Sequence, residues 1–230
     1  MGLELQGKTF VDIGFGQGLS LLIAKQKGAS VVGCDINPTC EKALEQTMSH
    51  FPQYQVSDIP LVIGSIINQD TINQLLEHSE NQGFDIVHSW GVLCLTGSMQ
   101  KSIQNTASLV KPGGYLAISI YNRHWTSPIW LAVKWLYCKS PKLFQKAMIY
   151  FFYPIIWLAK YLVTGEKPAN KSRGMDFFYD VVDWVGGYPY EYASKGEIVH
   201  LIEPLGFELI HFVPAQVPTG CNEFIWKKIE

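Results

Sequence analysis

The chain lacks a strong excess of either charge: 18 lysines and arginines stand against 20 aspartates and glutamates in 230 residues, a net charge of -2. Grip on a phosphate backbone needs clustered Lys and Arg, and the basic residues here are scattered, so nucleic acid is not an expected partner. Cysteine is scarce and unpaired. Cys34, Cys40, Cys94, Cys138 and Cys221 contain no Cys-x-x-Cys spacing. That argues against a zinc site or a disulfide frame and for reduced thiols in the cytoplasm, with no metal expected. The opening MGLELQGKTF has neither a basic n-region nor an apolar core, so no signal peptide is read there. Gln6 stands where a myristoylation signal wants Ser or Thr. No internal repeat or low-complexity tract is present.

What is there, in the first half, is alternation. Short β-rich runs at residues 9–13, 30–35, 59–63, 84–89 and 116–121 are separated by amphipathic stretches at 19–27, 38–50, 70–79 and 98–110. Strand and helix in turn predict an α/β fold, a doubly wound and mostly parallel sheet covered on both faces. Asn37-Pro38 reads as a helix opening, and VKPGGY as the close of the fourth helix. A last helix over 195–203 and strands over 207–213 and 223–228 bring the sheet to seven.

Residues 125–192 break that rhythm. The run IWLAVKWLYCKSPKLFQKAMIYFFYPIIWLAKYLV is dense in aromatics with lysines spaced through it, and Pro154 interrupts it. Its longest uncharged stretch is shorter than the ~20 residues of a bilayer span. A helical lid over the core is the reading carried forward. A helix lying in a membrane interface and a dimer contact both stay open, as does the oligomeric state. The expected organisation is a nucleotide-type core over 1–124, this helical aromatic insertion over 125–192, and a C-terminal helix and strand pair over 193–230.

The chemistry is concentrated in VDIGFGQGLS, residues 11–20. A phosphate-binding Walker loop needs Gly-Lys-Ser/Thr at its end, but Gly18 is followed by Leu19-Ser20. A dinucleotide loop needs G-x-G-x-x-G, but after Gly14 and Gly16 the next glycine is Gly18, one place early. The spacing D-x-G-x-G-x-G fits as written. Glycines at a strand-to-helix turn let backbone approach a ligand without a Cβ clash. Asp35 leaves the second strand about 20 residues on, where an acid grips a ribose diol, and Ile36 beside it would lie on an adenine face.

In order, this glycine loop, CDINP, GSIIN, FDIVHSWGVL and LVKPGGYLAISIYN resemble the class I S-adenosylmethionine (SAM)-dependent methyltransferases over residues 7–121. The segments RGMDFFYDVVDWVGGYPYE and GCNEF resemble a bacterial subfamily with a generic methyltransferase label. The resemblance implies SAM as cofactor and S-adenosylhomocysteine as product. It places Asp12, Gly14, Phe15, Gly16 and Gly18 at the methionine end and Asp35 and Ile36 at the adenosine. Gly64, Ser65 and Ile66 fall at the adenine, and Ser89 and Trp90 beside the reacting methyl. One departure is visible: where relatives carry a His pair after GVL, this chain has Cys94 and Leu95.

The remaining candidates concern the acceptor. Methyl transfer is an in-line displacement, so a site must orient a nucleophile and, for a hydroxyl, take its proton. His88, His124, Tyr190 and Glu191 are the candidate catalytic side chains, and Arg173, Asp176, Asp183 and Tyr188 the candidate acceptor-binding ones. Asp176, Asp180 and Asp183 would share one face of a helix, which is also what a plain solvated helix looks like. Cys94 and Cys221 read as small buried residues. The expected activity is methylation of an oxygen, or else a nitrogen, of a small or amphipathic acceptor. The alternatives are an NAD-dependent oxidoreductase and a catalytically degenerate SAM-binding protein at a membrane.

Overall fold

A computed structural model describes residues 4–165, 167 and 177–229. Strands β1 (Thr9–Ile13), β2 (Ser30–Asp35), β3 (Leu61–Ile63), β4 (Phe84–Trp90), β5 (Val110–Tyr121), β6 (Phe207–Val213) and β7 (Cys221–Lys228) form one sheet in the order 3-2-1-4-5-7-6. The first five run parallel, and β7 is antiparallel to both β5 and β6. The sequence reason for the central strands is the apolar residues they bury, Phe10, Val11 and Ile13 on β1, Val31 and Val32 on β2, and Phe84, Ile86 and Val87 on β4. A strand covered on both faces has no solvent side to mark with polar residues.

Helices α1 (Leu19–Gln26) and α2 (Cys40–Met48) pack Leu21, Leu22 and Leu44 against Phe10, Val31 and Ile86 on one face. Helices α3 (Gln69–Glu77), α4 (Met99–Ser108) and α8 (Lys195–Ile202) cover the other, where Ile72, Ile103 and Ile198 meet Val11, Leu116 and Trp226. Helix α8 begins with a capping box: Ser194 accepts from the Glu197 N–H, and the Glu197 carboxylate accepts from the Ser194 N–H. Between β5 and α8 lie α5 (Ser127–Lys139), α6 (Lys142–Thr164) and α7 (Phe177–Gly186). They hold a small cluster of their own, Ile149, Phe177, Val181 and Val185.

Several expected boundaries move. The second helix starts at Cys40, because the Asn37 side chain accepts from the Thr39 N–H at 3.0 Å and makes a turn of its own before the helix. The third strand starts after Pro60. VKPGGY is not a helix terminator but the start of β5, which pairs at Val110 with Phe84 and then shifts register before Tyr115 resumes pairing with Ile86. Gly113 takes up that irregularity with φ 72°. The last strand begins at Cys221, two residues early.

Candidate functional site

In the order 3-2-1-4-5, the chain leaves β1 toward one face and β4 toward the other, opening a crevice at their carboxyl ends. The glycine loop sits there. Gly14, Gly16 and Gly18 all have left-handed backbone, φ 78°, 54° and 75°, which an L side chain adopts only under strain. A Cβ on Gly14 would run into Val92, and one on Gly18 into Leu44, so these two glycines serve close packing. At Gly16 a Cβ would meet nothing within 4 Å. The loop is therefore open on that side, as a cradle for a ligand requires.

Asp35 is buried and ties this loop to the end of β2. One carboxylate oxygen accepts from the Gly16 N–H at 3.1 Å and the other from the Asn37 N–H at 2.9 Å. Ile36 beside it is 71% exposed, an apolar side chain with no protein partner to explain it. Gly64 donates its N–H to the Asp35 carbonyl at 2.9 Å, which brings Gly64 and half-buried Ser65 beside this corner.

Asp12 and His88 were expected in separate roles, but the structure joins them. They are register partners on β1 and β4, and the Asp12 carboxylate lies 2.7 Å from His88 Nδ1. An ionised carboxylate can only accept, so in that state Nδ1 carries a proton. The His88 ring stacks under the half-exposed Trp90 indole, centroids 5.5 Å apart and planes 7° from parallel. The signal in the sequence was that both are next to last in the expected strands 9–13 and 84–89.

Three residues expected at the cofactor turn their side chains to partners within the protein. Ser89 is fully buried and its hydroxyl donates to the Ile13 carbonyl at 2.9 Å, bracing β4 to β1 rather than facing a ligand. The Phe15 side chain packs into the core under α1 and α2, leaving only its backbone at the loop. Ile66 is buried as well, and its carbonyl accepts from the Asn105 amide at 2.8 Å.

The acceptor-side expectations divide further. Glu191 is turned to the start of a helix: both its carboxylate oxygens accept from the Met99 N–H, at 3.0 and 2.9 Å, at the amino end of α4. A carboxylate there meets the positive end of the helix dipole, which is a structural use. His124 has its Nδ1 2.9 Å from the Thr126 hydroxyl, in the turn that starts α5. Tyr190 is buried in an aromatic group with Tyr121 and Trp184, beside Ser127. Burial pushes its phenol well above the usual range, so it can donate a hydrogen bond at neutral pH but not act as a base. Its hydroxyl and that of Ser119, on β5 beside Gly91, are buried without a hydrogen-bond partner among the described residues. Tyr188 is exposed. Arg173 and Asp176 lie outside the described residues; Asp183 is within α7, its side chain outside them.

One residue went unforeseen. Lys134 is fully buried, with its ammonium 4.4 Å from the Trp184 ring centroid and 4.9 Å from that of Tyr190, and it donates to the Trp184 carbonyl. In the sequence it is one of the lysines spaced through an aromatic run; in the structure it is a cation in an aromatic cage. Cys94 is buried, and that burial pushes its thiol up to about 12, so it is no nucleophile. Among the described residues no group of His, Cys, Asp or Glu could hold a metal ion.

Comparison with known proteins agrees with this geometry. A family model described as a methyltransferase domain matches residues 2–154. A ubiquinone biosynthesis O-methyltransferase of Coxiella burnetii is 29% identical over 131 residues, which cover 57% of this chain and 51% of that protein. The chain thus spans about half the length of the curated relatives it matches. Among solved structures, an S-adenosylmethionine-dependent methyltransferase from Listeria monocytogenes superimposes with TM-score 0.59 at 14% identity, covering 100% of this chain and 95% of that one. The magnesium protoporphyrin IX methyltransferase of Synechocystis PCC 6803, with bound SAH, gives 0.57 at 13% identity over 97% of this chain and 75% of that one. At such identities these two structures speak for the fold alone.

Proposed function

Because this chain belongs to the methyltransferase domain family, we propose that it moves a methyl group from S-adenosylmethionine to an oxygen of a small or amphipathic acceptor, with nitrogen as the second choice of atom. The observation that carries the reading is the Asp12-Gly14-Gly16-Gly18 turn, open at Gly16 and tied to Asp35 at the end of the next strand. The third glycine falls where a pyrophosphate-binding loop would not have it, which speaks against the oxidoreductase alternative. The name of the Coxiella relative supports oxygen as acceptor atom.

The cofactor supplies an electrophilic methyl on a sulfonium. Asp35 takes the ribose hydroxyls in exchange for the backbone N–H groups it now holds, and Ile36 covers the adenine. Gly64, Ser65 and the backbone of Ile66 edge the adenine pocket. The loop from Asp12 to Gly18 receives the amino-acid end. His88 acts as a positioning residue: its Nδ1 fixes the Asp12 carboxylate, and its ring supports Trp90 at the mouth of the crevice. The hydroxyls of Ser119 and of Tyr190, buried without a hydrogen-bond partner among the described residues apart from Ser127 beside Tyr190, are the groups that would orient an acceptor.

Calorimetry tests the reading. S-adenosylhomocysteine should bind and NAD should not, and Asp35→Ala should weaken binding by about tenfold or more, the worth of hydrogen bonds to a charged group. Binding of NAD in its place, or wild-type affinity in Asp35→Ala, would overturn it.

A further inference from the structure

Helix α6 has two faces, and both are apolar. The inner one, with Ile149, Tyr153 and Trp157, packs against α7 and its cluster. The outer one is a single stripe at helical spacing: Leu143, Ala147, Phe151, Ile155, Leu158 and Leu162. All six are exposed, Leu143 at 83% and Leu162 at 72%. A helix face left to water carries polar residues. This one offers an unbroken apolar band about 30 Å long, more than the scattered apolar residues of an ordinary surface.

Charge identifies the occupant. Between Asp85 and Glu166 the sequence contains no acidic residue. Lys139, Lys142 and Lys146 are all exposed and gathered where the stripe begins. A second copy paired face to face would set these lysines against a helix with no carboxylate to receive them. The headgroups of an anionic bilayer would receive them while its acyl region took the stripe. The 22-residue stretch Lys142–Val163 has the length and mean hydropathy, 1.2, of a span, but its inner face is occupied by α7 along its middle. A helix with protein on one side and an apolar stripe on the other fits in the plane of the interface.

We propose that the outer face of α6 is a docking surface for an anionic lipid bilayer, with the helix lying flat and the three lysines at the headgroups. This does not rest on the methyl-transfer reading, and its test does not measure methyl transfer.

The full chain is sedimented with phosphatidylcholine vesicles with and without phosphatidylglycerol, at low and high salt. Binding is expected to the anionic vesicles only and to weaken with salt. Each lysine at such a surface contributes about fivefold, so Lys142→Glu with Lys146→Glu should lose well over about tenfold. Phe151→Ser with Leu158→Ser should lose at least about tenfold by removing the apolar contact. Both pairs are on the surface and should keep wild-type thermal unfolding and S-adenosylhomocysteine binding. The proposal is overturned by equal binding to both kinds of vesicle, by none to either, or by retention after alkaline carbonate extraction, the mark of a span. It is equally overturned if light scattering shows a dimer that Phe151→Ser with Leu158→Ser dissociates while vesicle binding is unaffected.

Discussion

Trp226 in the sheet and Leu158 on α6 are both large apolar side chains, yet the first has no exposed surface and the second is 51% exposed. Trp226 is buried in one cluster with Phe84, Val87, Leu116, Ile118, Ile120 and Phe224 of the same strands, and folding alone accounts for it. Around Leu158 it does not. The same composition thus has two physical meanings in one chain: in the sheet it stabilises the fold, and on α6 it is kept exposed. Hydrophobic content read from sequence does not separate the two. Only the presence or absence of a second layer does.

The sharpest way to break that contrast is to truncate one residue on each side. Trp226→Ala should destabilise the protein by about 3–5 kcal/mol, and Leu158→Ala by less than about 0.5 kcal/mol, both by urea denaturation. A Leu158→Ala cost of several kcal/mol would mean that the stripe is covered in solution and that the contrast is false.

A smaller effect separates the far edge of the sheet from the crevice. The Asp85 carboxylate accepts from the Thr9 N–H and hydroxyl at 3.0 and 2.9 Å and from Lys111 at 2.8 Å. Burial alone would push this carboxyl up. The hydrogen bonds from Lys111 and Thr9 outweigh it and hold the group down at about 2. Because the folded value lies below the ordinary 3.8, the stabilisation is complete above about pH 4 and lost as the pH falls toward 2. Discounted for solvent at Lys111, it is worth about 1 kcal/mol. Asp85→Asn should therefore lower stability at pH 7 by about that amount and close most of the gap at pH 2. A gap that widens in acid would refute the assignment.

The smallest effect concerns the joint between the two regions. Glu191→Gln removes the charge at the start of α4 but keeps an acceptor for Met99, so about 0.3–1 kcal/mol should be lost. Turnover with whichever acceptor proves competent should change by less than about twofold. A fall beyond about a hundredfold at unchanged stability would return Glu191 to the catalytic role, orienting the nucleophile, that its sequence context suggested.

The strands of the core were legible because Val/Ile runs bounded by Gly, Pro and Asn have few other readings. β1, β2 and β6 fall where pattern alone puts them. β5 was cut short because Pro112 and the glycines after it mimic a helix stop, while a bulge can carry the same residues within a strand. In the crevice, Gly14, Gly16, Gly18 and Asp35 were legible from spacing. Strand alternation in principle separates Ser89 from Trp90, one sealed inward and the other open, but the run HSW gave no phase by itself. The surroundings of Glu191 and Lys134 were not legible for a common reason: their partners, Met99 and Trp184, are brought to them by tertiary folding, which no local pattern records.

The excursion between β5 and α8 leaves and rejoins the sheet through one doorway. The Arg123 N–H donates to the Ala193 carbonyl at 3.1 Å, and the Ala193 N–H to the Tyr121 carbonyl at 2.9 Å. The Arg123 guanidinium grips the Glu197 carboxylate at 2.7 and 2.8 Å. With its two ends clasped together, the stretch between them can lengthen, shorten or change character without disturbing how β5 and β7 pair. The entropy of closing it grows by only about 0.6 kcal/mol for each doubling in length. The parallel half that carries the glycine loop is thereby insulated from whatever change the excursion undergoes.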